Sequence, residues 1–119
     1  MKLVSAAILT VSLATAGVAR AESDGNWLHE KCLAGPLPET MNINTQADAD
    51  KLINWNVCYG YVLGVLEASS SSVCLIKNVT RNQLVAVVTK YLNDHPEKWH
   101  FPSFKLVLEA TNNSFCTPQ

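Results

Sequence analysis

TQADADKLINWNVCYGYVLGVLEA, residues 45–68, reads as one long helix that is apolar on most of its circumference. Leu52, Trp55, Tyr59, Val62, Leu63 and Leu66 recur at three- and four-residue steps and make one apolar face. Ile53, Val57, Gly60, Gly64 and Ala68 make a second. A helix of this kind is expected to be covered by neighbours on several sides, which puts it at the centre of the molecule. Thr45, with Asp48 three residues on, approximates a capping box, and Asp48 and Asp50 suit the positive end of the helix dipole. Gly60 and Gly64 are costly, since an interior glycine gives up about 1 kcal/mol relative to alanine. A pair one turn apart predicts a surface where another backbone comes close, and gives both residues a close-packing role.

The flanking segments are shorter. Residues 26–33 can form a helix with Trp27, and Leu28 or Lys31, turned inward, stopped by Gly35, Pro36 and Pro38. Residues 69–72 are a small polar break, and 73–78 a short apolar piece around Cys74. Thr80 and Gln83 then form an S/T-x-x-E/Q capping box ahead of Leu84, Val85, Val87, Val88, Tyr91 and Leu92. Valines favour a strand, but the box and the three-four spacing decide for a helix that ends at Asn93–His95. Pro96 suits the first position of a further turn, and Pro102 the start of a last helix ending near Asn112 and Asn113. The expected fold is all-α: a small, disulfide-stapled bundle of four to five helices.

The start of the chain has a different composition. Lys2, an apolar run over residues 3–18 and the A-x-A sequence Ala19-Arg20-Ala21 read as a signal peptide, residues 1–21, ahead of a single helical domain, residues 22–119. That predicts export to the periplasm and no membrane attachment after cleavage. Four cysteines, Cys32, Cys58, Cys74 and Cys116, in a short exported chain read as two disulfides. Three pairings are open. Cys58 lies about ten residues from the end of the central helix, roughly 15 Å at 1.5 Å per residue. Pairing it with Cys74 would require the next connection to fold straight back. Cys32 with Cys58 and Cys74 with Cys116 is the easier arrangement.

The formal net charge of −1, with both signs mixed, gives no basic stripe for nucleic acid and no polybasic cluster for anionic lipid. No nucleophile elbow or phosphate loop is present. His95 and His100 stand five apart, not at the four-residue step of a helical zinc pair, and four paired cysteines leave no free thiol to activate. No catalytic set, cofactor or metal is implied, so the chain reads as a binding protein and not an enzyme. Its candidate partner contacts lie on the connections at residues 69–79 and 94–102, with Trp99 and Phe101 as anchors in the second.

In order along the chain come CYGYVLG at 58–64, Cys74, TRNQLVAVVTKYL at 80–92, His95-Pro96-Glu97, Leu106-Val107 and Phe115-Cys116. This ordered set resembles the Rap/Tai family of type VI secretion system immunity proteins over most of the chain, although Ile76 and Phe115 stand where the family pattern often has proline. The resemblance implies a periplasmic, disulfide-bonded homodimer that neutralises a secreted peptidoglycan amidase effector. On that pattern Gly60, Gly64, Gln83, His95 and Pro96 are structural motif residues, and no effector contact is marked. The rival reading from another class is a periplasmic acid-stress chaperone that holds unfolded clients. Intact mass of the exported protein checks the processing: we expect loss of residues 1–21 and no alkylation of the unreduced, denatured chain at any cysteine.

Overall fold

The computed structural model describes residues 23–38, 40–70, 74 and 78–116. The signal-peptide reading of residues 1–21, and most of the apolar piece at 73–78, lie outside them. The described chain forms α1 (Gly25–Cys32), α2 (Gln46–Ala68), α3 (Arg81–Asp94), a short 3-10 turn (Pro96–Lys98) and α4 (Ser103–Phe115). The fold is all-α, a small bundle with two disulfides.

The two threonine caps behave as their sequences dictate. Thr45 Oγ1 accepts from the Asp48 amide at 3.2 Å and the Asp48 carboxylate accepts from the Thr45 amide at 3.1 Å. Thr80 and Gln83 exchange the same pair of bonds at 3.2 and 2.7 Å. Each box satisfies two amides that a helix start leaves without partners.

The other two helices start in a way the sequence does not advertise. Asp24 caps α1, its carboxylate accepting from the Trp27 amide at 3.0 Å. No side chain caps α4, which begins after Pro102. Instead, residues 23–26 run antiparallel to residues 99–103. Gly25 N donates to Phe101 O at 2.9 Å, Asn26 N to Trp99 O at 3.0 Å, and Ser103 N to Ser23 O at 2.9 Å. Ser103 Oγ, fully buried, donates to Asp24 O at 2.6 Å. The first amides of α1 and α4 therefore find backbone acceptors on each other's leading segment, and Asp24 adds an ordinary side-chain cap to α1 alone. The contact is tight. A Cβ on Gly25 would come within 2.7 Å of Trp99 Cα and 2.8 Å of Trp99 O, both backbone atoms that cannot step aside.

The core joins all four helices: Leu28 and Cys32 from α1, Cys58, Val62 and Leu66 from α2, Val85, Val88 and Leu92 from α3, Leu106, Val107 and Ala110 from α4. Of the inward candidates on α1, Leu28 is the fully buried one, and Trp27 is half-buried against Tyr61. The disulfides join Cys32 to Cys58, within the core, and Cys74 to Cys116. By chain-entropy reasoning each stabilises the fold by about 3–4 kcal/mol.

One expectation is overturned. α2 is not covered on several sides. Its Leu52–Leu66 face packs inward, while Ile53 (58 % exposed), Val57, Gly60 and Gly64 form a stripe open to solvent. Among the described residues nothing lies within 4 Å of where a Cβ would stand on either glycine, so none of them uses the close approach. The three other described α-helices pack against the opposite face of α2. α4 also runs one turn past the expected stop, to Phe115, because Asn112 and Asn113 continue the helix.

Gly25→Ala tests the backbone clasp. Overpacking against fixed main chain should cost about 1–3 kcal/mol, read as a lower urea midpoint at unchanged slope, whereas Gly64→Ala should leave the midpoint level or raise it.

Candidate partner-binding site

The chain turns a sharp corner between α3 and α4, and its shape follows from local chemistry. His95 closes α3, and Pro96 cannot continue the helix, so three residues wind as 3-10 turn before the chain meets the N-terminal clasp. His95 Nδ1 donates to Tyr91 O at 2.9 Å, which fixes the tautomer with its proton on Nδ1, and the ring stacks on Tyr91 at 4.1 Å. His95 and Pro96 thus sit at the turn where the sequence motif places them.

Trp99 and Phe101, adjacent candidates in the sequence, go different ways. Trp99 is half-buried: Nε1 donates to Leu92 O at 2.8 Å, and its ring stacks on His29 at 3.9 Å. His29 in turn pairs with Asn93 through Nε2 at 3.0 Å, so it is part of the α1–α3 seam. Phe101 is 41 % exposed, with His100 tilted against it at 4.3 Å. Phe104, the second residue of α4, is 48 % exposed although its spacing places it among the apolar helix positions. The corner therefore presents Phe101 and Phe104 outward and anchors itself through Trp99. The connection at residues 69–79, the other candidate, is described only at 69, 70, 74, 78 and 79.

Behind the corner lies a charged group. Lys98 Nζ donates to Tyr91 OH at 2.9 Å and to the Glu109 carboxylate, bridging the 3-10 turn to α3 and α4. Glu109 is held below the ordinary carboxylate range by that Lys98 bond, and Lys98 is raised by Glu109 first and Tyr91 second. Burial pushes the Tyr91 hydroxyl up. All three therefore keep their neutral-pH states over a wide range, which suits a brace and not a proton carrier. Solvent screens the pair, since both side chains are about a third exposed.

Three depressions on the described surface are small. The depressions beside Tyr91 and His95, beside Leu33 and Lys51, and between Leu66 and Leu84 hold about 180, 290 and 190 Å³. Each falls short of the roughly 300–1,000 Å³ typical of small-molecule sites. Among the described residues no group of three histidine, cysteine, aspartate or glutamate side chains could hold a metal ion. No described helix is long and apolar enough to cross a membrane.

The described corner thus has capped helices behind it, a Lys98–Tyr91–Glu109 brace and two exposed aromatics. Comparison with known families gives a match: the model of the Rap1a immunity proteins matches residues 24–116. The chain belongs to the Rap1a immunity protein family. Membership implies type VI effector immunity, hence binding of a cognate effector protein, and the family is not typically enzymatic. It also places such proteins in the periplasm, where disulfides persist. No curated protein and no solved structure matches the chain.

The charged groups give a pH test with a definite sign. Asp24 and Asp48, held low first by the Trp27 amide and the Thr45 hydroxyl respectively, join Glu109 as depressed carboxylates. Their contribution is complete above the ordinary carboxylate range and is lost as pH falls through their lowered values. Raised Lys98 contributes fully up to the ordinary lysine pKa of 10.5 and loses its share only above it. Thermal melts should thus be level from about pH 5 to 9 and fall below about pH 4, and Glu109→Gln should flatten part of that fall.

Proposed function

We propose that this protein is a periplasmic immunity protein that binds a peptidoglycan amidase effector of a type VI secretion system and blocks its substrate groove. Membership of the Rap1a family over residues 24–116 carries the reading. Protection by occlusion needs shape and polar complementarity, not chemistry, and shallow surfaces on a rigid bundle suit it. Helices fixed by two disulfides and four caps have little ordering left to lose on binding. The proposed contact face is the α3–α4 corner, with Phe101 and Phe104 as anchors. Sharp acid release near pH 5, which a stress chaperone would use, finds no support in carboxylates that stay ionised well below it.

The same reading includes a homodimer, and the open stripe of α2 supports it. Two interior glycines cost about 2 kcal/mol of helix stability together, and no neighbour among the described residues makes use of the space they leave. A second α2 laid across Gly60 and Gly64, with Ile53 and Val57 closing around the crossing, would use it. One patch meeting its own copy is the natural geometry of a two-fold dimer.

Co-export of a cognate amidase effector tests the first claim. We expect lysis without the protein, survival with it, and lysis again when residues 1–21 are deleted. Equal lysis with folded, exported protein in excess would remove the reading for that pair. Alanine at Phe101 or Phe104 should weaken effector binding at least tenfold, about 1.4 kcal/mol, without lowering the melting temperature. For the dimer, light scattering at micromolar concentration should give twice the chain mass, and Gly64→Leu should give the chain mass with helix content intact.

A further inference from the structure

The two disulfides differ in what can reach them. Cys32 is 1 % exposed and Cys58 0 %, sealed among Leu28, Val62 and the other core side chains. Cys74 is exposed and Cys116 half-buried, just past the end of α4. Thiol–disulfide exchange needs a thiolate to approach a sulfur directly, so access decides which bond reacts. From this contrast we infer that Cys74–Cys116 is a thiol-exchange site, opened and reclosed by a dithiol reductant or its oxidised form, while Cys32–Cys58 stays shut and the four helices stay packed. The inference is independent of the function proposed above.

The chemistry balances. One thiolate of the dithiol bonds to Cys74 Sγ, the Cys74–Cys116 bond breaks, and Cys116 leaves as thiolate. The second thiolate of the reductant then attacks its own sulfur in the mixed disulfide and expels Cys74. Two electrons pass from the dithiol to the bridge, and the two protons the dithiol gives up end on the protein thiols. The oxidised dithiol runs the sequence in reverse.

The surroundings favour a bond that opens without unfolding the rest. Cys116 lies outside the core, and its amide donates to Asn112 O at 2.8 Å, so the helix end is closed by backbone whether or not the sulfur is bonded. The Asn112 side chain accepts from the Cys74 amide at 3.5 Å and lies 3.3 Å from Cys116 Sγ. It is a polar contact that holds the two residues near each other for reclosure. By contrast Cys32 ends α1, and with Cys58 it ties α1 to α2 inside the core. Opening it would expose the seam on which α1 rests.

Graded dithiothreitol under native conditions, alkylation and peptide mass spectrometry test this on the oxidised protein, with far-ultraviolet circular dichroism in parallel. Cys74 and Cys116 should take label together at a reductant concentration at least tenfold below that needed for Cys32 and Cys58, with helix content at 25 °C unchanged. Labelling of Cys32 and Cys58 in the same range, or helix loss in step with the first labelling, overturns the inference. The double variant Cys74→Ser with Cys116→Ser should fold with the same helix content and take no label across that first range. Failure of this variant to fold also overturns it.

Discussion

The antiparallel clasp between residues 23–26 and 99–103 is the contact on which the architecture depends. Two helix starts face each other across it, and each would otherwise leave amides without partners in a half-buried setting. Helix starts also repel, since both carry the positive end of a dipole. Asp24 answers both problems. Its carboxylate satisfies an amide of α1 and places negative charge between the two ends, while its backbone carbonyl takes the Ser103 hydroxyl. Gly25 is the residue that lets the two strands come this close. The clasp joins the start of α1 to the start of α4 and sets the angle at which α4 leaves the corner.

The division of labour in the corner follows from the clasp. Trp99 supplies its carbonyl to Asn26 and its ring to His29, and so belongs to the interior seam. Phe101 bonds through main chain, its carbonyl accepting from Gly25 and its amide donating to Lys98 O, and leaves its side chain exposed. The brace of Lys98, Tyr91 and Glu109 holds the turn from the other side. A surface built this way is rigid in its main chain and plain in its side chains, which fits recognition of a protein better than turnover of a small substrate.

Much of this was legible from residues alone where the information is local. Thr45 with Asp48 and Thr80 with Gln83 are short-range devices, and both helices start where those boxes say. His95-Pro96 marks a turn for the same reason. What could not be read depended on contacts distant in sequence. The first amide of α4 donates to Ser23 O, and the Ser103 hydroxyl to Asp24 O, both nearly eighty residues upstream, so no motif beside Pro102 announces the contact. Trp99 and Phe101 look alike as candidates because periodicity does not tell a ring over His29 from a ring in solvent. Gly60 and Gly64 read as a surface for a close backbone approach, yet among the described residues nothing lies against them. Phe104 falls at a core spacing on α4, yet among the described residues no helix covers it.

Main-chain bonding at the corner has an evolutionary consequence. Residues 99–103 keep their path through carbonyls and amides that every amino acid except proline supplies in full, and glycine is demanded only on the opposite strand, at position 25. Side chains at His100, Phe101 and Phe104 can therefore drift without loosening the frame beneath them. A lineage whose adversary changes its surface could exchange these three residues one at a time, keeping a folded intermediate at every step.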